Sequence, residues 1–213
     1  GYKRILTIPK FMGVEDERLT WWNNSWQYRI SSTLNNVPNG GQEYSLIVHS
    51  GSGTNNQTDV FLNGHNTTNF SDIRFVMDDT TELNYWIEDN STDPIRVWVK
   101  VPTNGTVYLY YGNNEVQTTS NGFNTFYTFF DDFEDGSIDS SKWSEISGYT
   151  NGAVEESNGK IKVTGGAGAW EGWGSKSEWN GNVSVMGKVL FYTDANNYQL
   201  FGFDDRAYDT GNY

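Results

Sequence analysis

The chain of 213 residues contains no cysteine. That excludes disulfide staples, thiolate metal sites and a cysteine nucleophile together. Basic residues are also scarce: 14 lysines and arginines stand against 27 aspartates and glutamates, a formal net charge of −13. Such a field repels nucleic acid and disfavours an anionic membrane surface, because no basic cluster offsets it. Apolar runs stay well short of the roughly 20 residues that span a bilayer, so no membrane span is expected. No leader is visible, and any such segment is expected to have been removed or to lie outside this sequence. The two histidines, His49 and His65, are isolated from any metal-ligand spacing.

What is present is strict alternation. Tyr28 and Ile30 share a face with Trp26 in "WQYRI". Tyr44, Leu46 and Val48 alternate in "YSLIVH", as do Ile73, Phe75 and Met77 in "DIRFVM". Leu83, Tyr85 and Ile87 follow, then Val97, Val99 and Val101, and then Val107, Leu109 and Tyr111. Period two with one apolar face predicts half-buried antiparallel strands, so the expected class is all-β, an antiparallel β-sandwich. Asn-Gly pairs recur between these runs and supply the positive φ angles of tight turns. Asn104-Gly105, directly between two strands, predicts a hairpin.

Asn-x-Ser/Thr sequons begin at Asn23, Asn56, Asn66, Asn69, Asn90, Asn104 and Asn182, which makes these the candidate N-glycosylation sites. Composition shifts near residue 120, where "QTTSNG" reads as a linker into a glycine-rich second half. The expected organisation is an N-terminal extended arm over 1–20, a β-sandwich over 21–120, a linker over 121–128 and a second domain over 129–213. The arm "YKRILTIPKF" reads as one strand, with Ile5, Leu6 and Ile8 as its apolar residues, and Pro9 suits an edge.

The series "WWNNSWQYRI", "SDIRFVMDDTTELNYWIEDN", "RVWVKVP", "TVYLYYGN" and "SNGFNTFYTFFDDFED" over residues 21–135 resembles an uncharacterised prokaryotic family, a domain of unknown function found in exported and surface-associated proteins. The resemblance implies a β-sandwich of the cell exterior and no known catalytic residues. "FFDDFEDGSIDSSKWSE" and the segments after it resemble the start of a concanavalin A-like lectin/glucanase jelly roll. Residues 129–213 supply about half the strands of a closed jelly roll, so this part is expected to be incomplete.

The acidic stretch "FFDDFEDG" fails the helix-loop-helix calcium spacing: counted from Asp131, Asp135 fits at loop position five, but Phe133 occupies position three and Lys142 position twelve. No cofactor is expected beyond a structural calcium ion, for which Asp132, Glu134 and Asp135 are the candidate ligands. The Glu-x-Asp-x-x-Glu strand of retaining glucanases is missing, and Glu155-Glu156 and Asp204-Asp205 each place their two acids on opposite faces of a strand. An enzyme is therefore not expected. Aromatic faces are the better lead, since sugar rings stack on them while Asn, Asp and Glu bind the hydroxyls. Trp170, Trp173 and Trp179 in the second half are the candidates, exposed for stacking or plugging the sandwich core; on the outward faces of the first half Trp86 and Trp98 stand with Tyr108 and Tyr110, either as one open stripe or buried under the second sheet or the second domain. Three readings of function follow. The first is a non-catalytic extracellular or cell-surface protein acting in adhesion or glycan binding, with glycans or other surface proteins as partners. The second is a glycan-bearing filament or lattice subunit that joins copies of itself by exchange of the N-terminal strand. The third is a fragment of an exported glycan hydrolase.

Overall fold

A computed structural model describes residues 21–150, 153–164, 171–177 and 185–188. The arm with Ile5, Leu6 and Ile8, and the candidates Trp170, Trp179 and Asn182, lie outside the described residues. Contacts divide the chain into two compact units, residues 1–131 and 132–213.

The first unit is built from β1 (Tyr28–Leu34), β2 (Gln42–His49), β3 (Asp59–Phe61), β4 (Arg74–Met77), β5 (Thr81–Leu83), β6 (Tyr85–Ile87), β7 (Ile95–Val101) and β8 (Gly105–Tyr111), followed by a one-turn helix α1 (Gly122–Thr125). They form two four-stranded sheets, ordered β1-β8-β4-β5 and β3-β2-β7-β6. Every pairing is antiparallel except the parallel β2–β3 pair. Alternation decides what lies between the sheets. Phe75, Met77, Leu83, Leu109 and Tyr111 from one sheet meet Val48, Tyr85, Ile87, Val97, Val99 and Val101 from the other in a single buried cluster. Each fully buried aliphatic or aromatic side chain adds roughly 1.5–3 kcal/mol, which makes this cluster the main driving force of the fold. The expected β-sandwich is the observed architecture.

Two local expectations are corrected. Trp26, expected in line with Tyr28 and Ile30, precedes the ladder and packs instead with Val76 and Tyr110 in a second cluster. The Asn104-Gly105 hairpin does not form, because β7 and β8 lie in different sheets. The connection is an arch: Gly105 (φ 156) passes close to Met77, and the Asn104 side chain accepts from Val37 N at 2.8 Å. A hairpin does form where no Asn-Gly occurs. Asp78 and Asp79 (φ 49 and 54) turn β4 into β5, closed by Thr80 N donating to Met77 O at 3.0 Å. The next passage is a sheet switch. Only Asn84 separates β5, in one sheet, from β6, in the other.

The segment after β8 is no free linker. Asn121 N donates to Tyr85 O at 2.8 Å, and Ile87 N donates to Ser120 Oγ at 2.8 Å, so residues 120–121 serve the open edge of β6. Asn121 caps α1, its side chain accepting from Asn124 N. Phe126 and Phe130 then stack at 5.2 Å, and Gly122 admits the Phe130 ring where a Cβ would meet it at 2.0 Å.

In the second unit β9 (Trp143–Thr150) pairs with β12 (Glu171–Ser175), and β10 (Ala153–Glu156) pairs with β11 (Ile161–Thr164). The latter is a hairpin with Asn158 and Gly159 at φ 52 and 66, the geometry an Asn-Gly turn favours. Residues 129–136 hold no strand. Phe130 packs in the first unit, whereas Phe133 (φ 55) packs on Trp143 at 5.6 Å in the second.

Candidate functional site

At one end of the sandwich β1 begins at Tyr28, opposite Tyr111 at the end of β8. The chain leaves β8 through Gly112, whose positive φ of 87 and closeness to the Tyr28 ring leave no room for a side chain. Behind this corner sits Asp72, wholly buried. Its carboxylate accepts from Gly112 N at 2.7 Å, Thr67 N at 2.9 Å and Thr67 Oγ1 at 2.8 Å, and its carbonyl accepts from Trp26 Nε1 at 2.6 Å. Asp72 thus ties its own loop to Gly112 through the carboxylate and to Trp26 through the carbonyl, the carboxylate's charge matched by several donors.

In front of that support lies a groove of about 480 Å³, lined by Ser25, Gln27, Gly112, Asn113, Asn114, Glu115 and Val116. The volume is that of an ordinary small-ligand site. Ser25, Gln27, Asn114 and Glu115 are exposed, while Asn113 is buried and its side chain accepts from Glu115 N at 3.1 Å, fixing the turn. The wall is amide, hydroxyl and carboxylate. Val116, which packs against the buried cluster of Trp26, Val76 and Tyr110, supplies the apolar edge.

Beside the groove Arg29 lies between the rings of Trp21 and Tyr108, 5.0 and 4.5 Å from their centroids. Its guanidinium pairs with Asp79 and donates to the Tyr110 hydroxyl at 3.4 Å, and Tyr110 donates to Asp79 in turn. Burial alone would lower the guanidinium pKa, but these partners outweigh it and hold it above its ordinary value. Burial and the bond to Asp79 raise the Tyr110 hydroxyl above its own. This box is filled by the protein's own cation, so it is structure rather than a vacant aromatic cage.

The four aromatics of the outward faces do not line up in one stripe. Trp86 and Trp98 oppose each other on β6 and β7, whereas Tyr108 and Tyr110 lie on β8 in the other sheet. Trp86 is covered edge-on by Phe126 and Phe130 at 5.7 and 4.8 Å, and Trp98 by Phe126 at 5.7 Å. Trp98 Nε1 is buried there with no hydrogen-bond partner. These two residues pack against their own chain rather than forming an open glycan platform. Trp173 stands opposite Glu145 in the β9–β12 pair, half-buried, its Nε1 likewise enclosed.

Among the described residues no group of three or more His, Asp and Glu side chains is arranged to hold a metal ion. Around the left-handed Phe133 the acids take separate partners. Asp135 accepts from Ser137 N at 3.1 Å, and Glu134 lies over Gly159, where a Cβ would come within 2.4 Å of its Oε1. His49 and His65 serve as stacking rings, on Phe61 at 4.2 Å and on Tyr28 at 4.1 Å.

Neither the groove nor the Arg29 box was singled out from sequence. A signal exists in retrospect: "NNS" and "GNNEV" flank strands that the register pairs end to end. Residues 69–146, just over a third of the chain, match the family model described as "Domain of unknown function (DUF2341)". The match runs from the loop before β4 to the start of β9 and includes residues 129–136. No curated protein and no solved structure matches the chain. Among the described residues no helix is long and apolar enough to cross a membrane.

Proposed function

We propose that the chain is a non-catalytic part of an exported or cell-surface protein that contacts glycans through the groove at Ser25, Gln27 and Asn113–Val116. The observation that carries this reading is the lining itself: amide, hydroxyl and carboxylate groups line the groove, an apolar edge bounds it, and a buried carboxylate holds it from behind. A pyranose presents the matching surface, hydroxyls around an apolar C–H face. Glu115 is the one ionisable residue in the lining, whereas glycoside hydrolysis uses a pair of carboxyl groups. The second unit enters the same reading as the start of a concanavalin A-like jelly roll, supported by its sequence resemblance and its antiparallel strand pairs.

The test is a glycan-array screen followed by titration calorimetry on the best hit. Gln27→Ala and Asn114→Ala each remove about one hydrogen bond, worth roughly 1 kcal/mol, so each is expected to weaken binding about fivefold. An array with no hit, or binding unmoved by both changes, overturns the reading.

One observation favours a second reading, assembly by strand addition. Among the described residues β1 has a neighbour on one side only, and "YRISSTL" carries neither proline nor lysine to blunt that seven-residue edge. Deleting residues 1–12 and measuring subunit number by light scattering decides this. A monomer before and after deletion removes the reading.

A further inference from the structure

The sequons are sorted by the fold. The loop over 62–73 touches both sheets: Leu62 N donates to His49 O at 2.9 Å, His65 stacks on Tyr28, and Asp72 accepts from Gly112 N. It therefore places the ends of β2 and β8 and the start of β1 at one end of the sandwich. The loops over 50–58 and 88–94 meet at that end too, where Ser50 N donates to the Asp93 side chain at 3.0 Å. Asn23, Asn56, Asn66, Asn69 and Asn90 all belong to this end, and Asn104 sits at the opposite one, in the arch between β7 and β8.

A transferase must reach the asparagine amide and the hydroxyl two residues later together, and the described sequons differ sharply in this respect. Asn56-Gln57-Thr58 and Asn90-Ser91-Thr92 are exposed at all three residues; the bonds at the Asn56 side chain run through Oδ1, which accepts from Thr58 N and Oγ1 at 2.8 and 3.1 Å, rather than through the reacting Nδ2, and Thr92 Oγ1 donates to Pro94 O at 3.4 Å. Asn66 is half-buried, with Nδ2 donating to Thr67 O at 2.8 Å and Oδ1 accepting from Ser50 Oγ at 3.0 Å, so its amide is engaged at both ends. Asn69 is exposed, but Phe70 and Ser71 behind it are buried, the Ser71 hydroxyl facing Thr67 Oγ1 at 3.1 Å. Asn23 is half-buried, and at Asn104 the two following residues are half-buried.

From this we infer that the folded protein is an acceptor for N-linked glycans at Asn56 and Asn90, on two adjoining loops, while Asn66 and Asn69 are closed by the fold. The co-substrate is a polyprenyl-diphosphate-linked oligosaccharide. Asparagine Nδ2 bonds to the sugar C1, the C1–O bond to phosphate breaks, the lipid diphosphate leaves, and the displaced amide proton passes to a base of the oligosaccharyltransferase. The inference is independent of what the groove binds.

The experiment incubates the purified, folded full chain with a detergent-solubilised oligosaccharyltransferase and its lipid-linked donor. Synthetic peptides spanning each sequon serve as the unfolded reference, and glycopeptides are mapped by mass spectrometry. The expected result is modification of the folded chain at Asn56 and Asn90, with Asn66 and Asn69 at least tenfold lower relative to their peptides. Asn56→Gln and Asn90→Gln are each expected to remove one glycan from the intact mass, and circular dichroism checks the fold of both. A folded chain left bare at Asn56 or Asn90, whatever the peptides do, overturns the inference. So does a folded chain modified at Asn66 or Asn69 as readily as its peptides are.

Discussion

The Tyr110 side chain is wholly buried, yet its hydroxyl serves three partners: it accepts from Trp22 N at 3.1 Å and from Arg29, and it donates to Asp79. Tyr110→Phe keeps the ring and removes that hub, so a loss of about 1–2 kcal/mol is expected in urea unfolding. The hydroxyl also gives the protein an alkaline limit. Burial, then Asp79, raises the Tyr110 pKa above its ordinary value of 10.0, and burial, then Tyr28, raises that of Tyr111 likewise. Above pH 10 the unfolded chain ionises these phenols while the folded chain keeps them protonated. Their contribution to stability is therefore complete below pH 10 and declines as pH rises through the folded values. Phenolate absorbance and circular dichroism followed together over alkaline pH are expected to show tyrosines still protonated above pH 10 that titrate as the fold is lost. Full phenolate formation near pH 10 with the fold intact contradicts this.

At the scale of elements, the sandwich depends on a buried arginine. Arg74, 4% exposed, donates to Ser71 O at 3.0 Å, Ile73 O at 2.6 Å and Gln117 O at 2.5 Å, joining the loop before β4 to the segment after β8. Arg74→Met leaves those carbonyls short of donors, and a loss of roughly 3 kcal/mol is expected in the same urea assay. Gly122→Ala tests the docked segment: the new Cβ collides with Phe130, so a loss of about 1–3 kcal/mol and a change in Trp86 emission are expected. The inner faces of these strands were legible in advance because burial between two sheets imposes period two on the residues themselves. Partner choice was not legible. Asn104-Gly105 and Asn158-Gly159 carry the same local signal, yet one becomes an arch and the other a hairpin, because pairing depends on which sheet can bury each strand. Asp78-Asp79 escaped notice for the opposite reason: two left-handed aspartates are costly alone, and carboxylate partners on distant strands, Thr106 N for Asp78 and Arg29 for Asp79, offset that cost. The groove was hidden similarly, since its two sides lie more than 80 residues apart.

For the whole molecule, the buried hydrophobic core among the described residues of the first unit runs from Trp26 to Tyr111, flanked by Trp21, Trp22 and Val116 and closed by aromatics up to Phe130. A fragment of residues 21–131 is therefore expected to fold alone, giving one cooperative thermal transition and the β-sheet circular dichroism of a sandwich. A fragment that melts without cooperativity contradicts this.

The sheet switch at Asn84 carries a consequence for how this sequence can change over time. Asn84 is exposed and polar, and surface connections of that kind usually accept insertions and deletions freely. Here its carbonyl accepts from Lys100 N at 2.9 Å, and Tyr85 and Ile87 enter the core directly after it. One residue gained or lost slides β6 by one position and turns both side chains out of the interior. At this exposed asparagine the packing on both sides fixes the length of the connection, so a one-residue insertion at Asn84 is expected to cost more stability than Asn84→Ser in urea unfolding.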